Sequence, residues 1–243
     1  MRLPTTICLL ACPLLASAAV AQPLISTFDT DAEGWMTDLD ARDFEWRETG
    51  GNPGGYVHAV DIGSGQYWRF EAPALFLGDL SARYGQTLSY ELIQTGIVGS
   101  VTTQPDVILE GGGVRLVKNH GAAPSSEWTG FAVTLDVAGD WRLNSVGGQP
   151  ADEAAIRGVL ADVSALLIRG EFRVGADAAG LDNVVLGTPC PAELTGDGVL
   201  DLGDVQAFVA LFLDEDPAAD FNPDGVLDNG DISAFVAAFL AGC

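Results

Sequence analysis

Positive charge is scarce in this chain. Against 34 Asp and Glu stand 11 Lys and Arg, for a formal net charge of −23 over 243 residues. Such a field repels phosphate backbones and acidic lipid headgroups, which removes nucleic acid and anionic membrane surfaces from the candidate partners. Histidine is rarer still. His58 and His120 are the only two; neither lies beside a plausible nucleophile or in metal-ligand spacing, so both read as surface or sheet residues. Gly63-Ser64-Gly65 lacks the nucleophile-elbow pattern and reads as a turn. Gly111-Gly112-Gly113 has no helix behind it, which makes it a hairpin rather than a phosphate cradle. Beyond the first 20 residues no apolar run is long enough to span a bilayer. Glu91 and Glu110 are available as a glycosidase pair, as any two carboxylates of a β protein would be. No catalytic residue is expected; a carbohydrate-active enzyme, or a carbohydrate-binding accessory module, is the alternative reading.

The four cysteines divide by position. Cys8 and Cys12 fall in an apolar run, residues 7–20, that follows Arg2 and ends in Ala19-Val20-Ala21, the pattern of an export signal cleaved before Gln22. Leu9-Leu10-Ala11-Cys12 offers a rival lipoprotein cleavage site, but the apolar core before it is very short. After export Cys190 and Cys243 remain, an even pair in an oxidising compartment. They bracket the last segment, and a bridge between them is worth about 4 kcal/mol in the chain-entropy account. The expected organisation is a signal peptide over residues 1–21, a middle domain over 22–187 and a carboxyl-terminal domain over 188–243, in a secreted or cell-surface protein.

The carboxyl-terminal domain contains one motif twice. Gly196-Asp197-Gly198-Val199-Leu200-Asp201-Leu202-Gly203-Asp204 recurs as Pro223-Asp224-Gly225-Val226-Leu227-Asp228-Asn229-Gly230-Asp231, and each copy runs into an apolar stretch. A twelve-residue calcium loop takes side-chain oxygens at positions 1, 3, 5, 9 and 12, a backbone carbonyl at 7 and glycine at 6. Asp220, Asn222, Asp224, Asp228 and Asp231 fill the side-chain positions of the second copy, Val226 supplies the carbonyl and Gly225 the turn. Leu227, at the eighth position, is expected to point inward against the other loop. The first copy offers Glu193, Thr195, Asp197, Asp201 and Asp204 with the Val199 carbonyl, and is the weaker site. From Cys190 onward there are eleven Asp and Glu and no Lys or Arg. Calcium is therefore the expected cofactor, neutralising a segment that otherwise repels itself. Val205, Phe208, Val209 and Phe212, then Ile232, Phe235, Val236 and Phe239, keep helical spacing behind the two loops.

The middle domain reads differently. All five tryptophans lie there, among glycines and short alternating runs: Leu88, Tyr90 and Leu92 in one, Phe131, Val133, Leu135 and Val137 in another. Further strands are expected over 56–60, 67–71, 107–110, 114–118, 166–174 and 183–186, with one helix over 152–161. About eight strands in this length make one antiparallel sandwich. Trp68 and Phe70 share a strand parity and are core candidates; Trp46, Trp128 and Trp141 are candidates for stacking on a sugar. Asp29, Asp31 and Asp182 are candidates for a further structural calcium site where the first and last strands meet.

Both domains resemble known families. Tyr67-Trp68-Arg69-Phe70-Glu71-Ala72-Pro73, Phe76-Leu77-Gly78-Asp79 and Tyr84-Gly85-Gln86-Thr87-Leu88-Ser89-Tyr90 are similar to the laminin IV type A (laminin B) module. So are Asp106-Val107-Ile108-Leu109-Glu110-Gly111, Trp128-Thr129-Gly130-Phe131, Leu166-Leu167-Ile168-Arg169-Gly170-Glu171-Phe172 and Leu181-Asp182-Asn183-Val184. That resemblance implies a non-catalytic, extracellular, jelly-roll-like sandwich of the kind inserted in matrix proteins, with a cell-surface or matrix component as partner; the sandwich also resembles carbohydrate-binding modules, which adds glycan to the expected partners. Cys190-Pro191-Ala192-Glu193-Leu194-Thr195-Gly196-Asp197-Gly198 and Ala241-Gly242-Cys243 resemble the dockerin that ends in Gly-Cys. It implies two calcium loops, two main helices and a docking role. Leu202-Gly203 and Asn229-Gly230 stand where cohesin-binding dockerins often carry Ser-Thr, and the helices carry no base, which points away from a cohesin and toward another surface component.

Overall fold

A computed structural model describes residues 23–38, 41–61, 67–95, 99–175, 177–187, 191–195 and 200–241. The signal segment, Asp197, Val199, Cys190 and Cys243 lie outside the described residues.

Twelve strands form two six-stranded antiparallel sheets. They are β1 Leu24–Ser26, β2 Met36–Thr37, β3 Ala41–Arg47, β4 Tyr56–Asp61, β5 Arg69–Glu71, β6 Thr87–Thr95, β7 Val107–Gly111, β8 Val114–Lys118, β9 Thr129–Thr134, β10 Arg142–Leu143, β11 Val163–Arg169 and β12 Ala178–Leu186. The first sheet has the order β3-β4-β12-β6-β9, with β1 also paired to β12; the second runs β10-β8-β7-β11-β5-β2. Strand β12 is the centre of the first sheet. Its first half lies between β4 and β6, and its second half takes β1 in place of β4, with Leu24 opposite Leu186.

The alternation of β6 explains its place. Leu88, Tyr90, Leu92 and Gln94 are buried, while Thr87, Ser89, Glu91 and Ile93 are half-exposed on the outer face. Between the sheets Trp68, Phe70 and Phe76 are completely buried, and Trp35 meets Phe76 edge-on at 5.5 Å. Helix α1 (Glu153–Leu160) adds Ile156, Val159 and Leu160 to this core. Its first turn is capped by the Asp152 carboxylate, which accepts from the Ala155 amide at 2.8 Å. One buried cation ties a connecting segment to β11. The Arg169 guanidinium donates to Asp106 Oδ1 at 3.1 Å and to the Thr102 carbonyl at 3.1 Å, and lies 4.4 Å over the Phe172 ring.

Behind the sandwich come α2 (Leu202–Leu213), a 3-10 turn (Pro217–Ala219) and α3 (Asn229–Ala241). Their shared core consists of Ala192, Phe208, Ala219 and Phe235. Phe208 and Phe235, equivalent residues of the two copies, stack with centroids 4.1 Å apart.

Several boundaries differ from the sequence reading. Among the described residues there are twelve strands rather than about eight. The alternation through Leu135 and Val137 does not continue β9, because Asp136 caps a 3-10 turn at Val137–Gly139 with its carboxylate on the Ala138 amide at 2.9 Å. β11 spans Val163–Arg169 instead of 166–174. β12 begins at Ala178 rather than at 183, through small residues without β-branched character.

Candidate functional site

The two carboxyl-terminal loops close in the same way. In the second, the Asp231 carboxylate, completely buried at the start of α3, accepts from the amides of Asn222 at 3.2 Å and Asp228 at 2.8 Å. In the first, Asp204 is equally buried at the start of α2 and accepts from Leu194 at 2.8 Å, Thr195 at 3.1 Å and Asp201 at 2.8 Å. Position 12 of each copy thus bonds the amides of positions 3 and 9 and caps the helix behind it. Burial works against the Asp204 charge, but the three amides outweigh it and hold the carboxyl below its ordinary range. The Asp231 carboxyl is likewise lowered, chiefly by the Asp228 amide.

The remaining predicted donors are spread along the loops. Asp220 accepts from the amides of Asp224 (3.2 Å) and Gly225 (2.9 Å), Asn222 from Asp224 (3.2 Å), Asp224 from Val226 (2.8 Å) and Asp228 from Gly230 (2.6 Å). Gly225 has φ +80, as the tight sixth position requires. In the first loop Glu193 receives the Thr195 hydroxyl at 2.9 Å, and Asp201 the Gly203 amide at 2.6 Å. Leu200 and Leu227, the eighth residues, both pack on the small core, as expected of Leu227. Among the described residues, no group of three or more His, Cys, Asp or Glu side chains is gathered closely enough to hold a metal ion.

The helical stripe divides. Phe208 and Phe235 are buried, whereas Val209 and Val236 remain 48% and 44% exposed. They line a wholly apolar groove of about 370 Å³ between α2 and α3, together with Val205, Phe212, Leu213 and Ile232. The apolar pattern was legible in the sequence; its exposure was not.

On the sandwich, Asp182 is completely buried at a bulge in β12, where it accepts from the amides of Asn52 (2.6 Å) and Asn183 (2.7 Å). Burial, with Glu91 and Asp29 adding like charge, pushes its pKa up to about 6 against those amides. Asp29 borders the same 49–55 loop, since a Cβ on Gly54 would lie 2.6 Å from its Oδ1. Asp31 instead accepts from the Glu33 amide at 2.6 Å. Sequence reasoning missed Asn52 and Asn183, whose side-chain amides both bond Glu91. Asn183 has φ +49, and an Asp-Asn pair in a strand was the available signal for a bulge.

Of the aromatic candidates, Trp141 is core: it is buried and its Nε1 bonds the Thr134 carbonyl at 2.8 Å. Trp46 and Trp128 are half-buried, with Nε1 on the carbonyls of Phe28 (2.7 Å) and Gly50 (2.9 Å). Glu91 and Glu110 stand on different sheets, and Glu110 is paired with Arg115 at 2.5 Å, so they form no glycosidase pair. His58 is a buried sheet residue whose pKa is lowered by desolvation, and His120 contacts the Tyr90 hydroxyl at 3.1 Å.

The description laminin B (domain IV) matches residues 67–197 of the chain, more than half of its length. The chain belongs to the laminin B (domain IV) family. Strands β1–β4 precede the matched residues, yet β1 and β4 pair with β12, so the laminin B sandwich of this protein extends upstream of the match. The basement membrane-specific heparan sulfate proteoglycan core protein of Mus musculus is 31% identical over 137 residues, 56% of this chain and 4% of that protein. The chain thus spans a small fraction of that relative. The L4b domain of human laminin alpha-2 is similar in structure at 16% identity, with a TM-score of 0.46 over 54% of this chain and 79% of that one. A family 30 carbohydrate-binding module of a Clostridium thermocellum cellulosomal cellulase gives 9% identity and a TM-score of 0.41, over 67% and 95%.

Proposed function

We propose that the protein is a secreted, non-enzymatic cell-surface or matrix protein, in which a laminin B sandwich serves as the binding module and a calcium-folded, dockerin-like carboxyl terminus attaches it. The family and the proteoglycan relative support an extracellular place. The observation that carries the attachment reading is the duplicated closing carboxylate, Asp204 and Asp231, each fully buried in a segment with eleven acids and no base. The donor set is all oxygen, which suits a hard cation such as calcium. Asp220, Asn222, Asp224, Asp228 and Asp231 with the Val226 carbonyl would hold one ion, and Glu193, Thr195, Asp197, Asp201 and Asp204 with the Val199 carbonyl the other. A bridge between Cys190 and Cys243 would then clamp both ends. The apolar groove between α2 and α3 leaves Val209, Val236 and Leu213 open to an apolar partner surface. The enzyme alternative lacks support from Glu91 and Glu110, which stand on separate sheets.

Calcium added to the chelated full-length protein is expected to raise the helical circular dichroism while tryptophan fluorescence, confined to the sandwich, stays constant. Asp224→Ala should weaken ion binding more than Thr195→Ala. Calorimetry that registers no uptake at millimolar calcium would overturn the reading.

A further inference from the structure

We propose that the sandwich binds a neutral oligosaccharide in a groove on the outer face of the sheet built from β9, β6 and β12. The inference rests on the reading of the sandwich as a binding module and names its ligand class. The groove encloses about 440 Å³, within the range of small-ligand sites, and its lining includes Ser89, Glu91, Gly130, Ala132, Asn183 and Val185. Register places them in rows: Glu91 lies opposite Gly130 on β9 and Asp182 on β12, and Ser89 opposite Ala132 and Val185. Small residues on the edge strand leave the floor low. A Cβ added to Gly130 would meet nothing within 4 Å.

The polar chemistry is fixed before any ligand arrives. Glu91 is held by the side-chain amide of Asn52, 3.1 Å from each carboxylate oxygen, and by that of Asn183 at 2.9 Å. Asn183 also donates to the Asn52 carbonyl at 2.6 Å. A carboxylate has about four lone-pair sites, so these three bonds orient Glu91 and leave about one site free to accept from a sugar hydroxyl. Beside this polar centre stand the apolar surfaces of Val185 and Ala132. Trp128, immediately before β9, packs edge-on against Tyr56 at 5.3 Å. Tyr56 in turn lies over Gly180, where a Cβ would come within 2.7 Å of its ring, so the aromatic pair is locked to the sheet. A fixed acceptor flanked by the apolar side chains of Val185 and Ala132 suits a sugar ring, which offers hydroxyl donors at its rim and C–H groups on its faces. No Lys or Arg is among the lining residues, and the chain carries a net charge of −23, so sulfated and uronic-acid glycans are repelled.

The test is calorimetric titration of the full-length, calcium-loaded protein with glucose-, xylose-, galactose- and mannose-based hexasaccharides, and with a heparin hexasaccharide. At least one neutral member should bind and heparin should not. Gly130→Leu, which fills the groove from an open position, should weaken binding by about tenfold or more with the thermal midpoint unchanged, and Glu91→Gln, which replaces the acceptor held by Asn52 and Asn183, should weaken it by as much. Absence of neutral binding, equal binding of heparin, or an affinity unaltered by Gly130→Leu overturns the proposal. Retention on immobilised envelope material separates the two levels. Retention that survives Gly130→Leu removes this groove and keeps the binding module, while no retention by either protein removes both.

Discussion

Thirty side chains are buried in the sandwich core, against four in the carboxyl-terminal helix pair. The sandwich encloses Trp35, Trp68 and Trp141 between two complete sheets, so apolar burial sustains it without help. Among its described apolar side chains the helix pair buries Phe208, Phe235 and two alanines, while the other large ones stay partly exposed. A core of that size is marginal without a staple or a bound ion. Their polar groups differ in the same sense. The sandwich holds a buried pair of opposite charge, Arg169 with Asp106 at 3.1 Å, beside buried acids such as Asp182; the described helix pair holds buried acids alone, Asp204 and Asp231, and both bond loop amides. One region is held by its interior and the other by its loops.

Breaking each region separately is the most direct check. Arg169→Ala strands Asp106 in the sandwich and should cost about 3–5 kcal/mol, read as a lower denaturation midpoint of tryptophan fluorescence with the helical signal of α2 and α3 unaffected. Phe235→Ala should cost about 3–4 kcal/mol and melt the helix pair, leaving tryptophan emission in place. If either substitution lowers both signals together, the two regions fold as one unit and the contrast fails.

Acid separates the regions by sign. The Asp204 and Asp231 carboxyls are lowered in the folded state, so their stabilisation is present above the ordinary carboxylate range and is lost as pH falls through and below it. Asp182 is raised to about 6, and the folded sandwich therefore keeps a proton that the unfolded chain sheds near pH 4. Its contribution declines as pH climbs from about 4 to about 6, by at most about 1.4 kcal/mol per pH unit. Melting followed by tryptophan fluorescence should show this slope, and Asp182→Asn should flatten it. A slope unchanged by that substitution assigns the effect to other buried acids, such as Asp177, whose carboxyl desolvation also raises.

How much was legible in the chain follows from this contrast. Strand β6 was plain because its buried and half-exposed residues alternate strictly, and α1 because Ile156, Val159 and Leu160 mark one face behind the Asp152 cap. The repeat was plain because a nine-residue motif that recurs 27 positions later needs no packing information. β3 was missed because four of the seven residues of Ala41–Arg47 are charged and a register shift between Arg42 and Glu45 breaks its alternation, and it belongs to the sheet only through its pairing with β4. The first half of β12 was missed because Ala178, Ala179 and Gly180 lack β propensity and are selected instead by close neighbours, Tyr56 above all. The partners of Glu91 were invisible for a related reason: Asn52 comes from 39 residues away and Asn183 from 92, and only the sheet order unites them.

Strand β1 enters the sandwich beside the place where β12 leaves it, with Leu24 facing Leu186 across the ladder. The two ends of the module therefore lie side by side. A pull on the downstream chain meets Leu186 held from both flanks, by Leu24 of β1 and Leu88 of β6, so the strand that hands the chain on to the carboxyl-terminal loops is secured on each side.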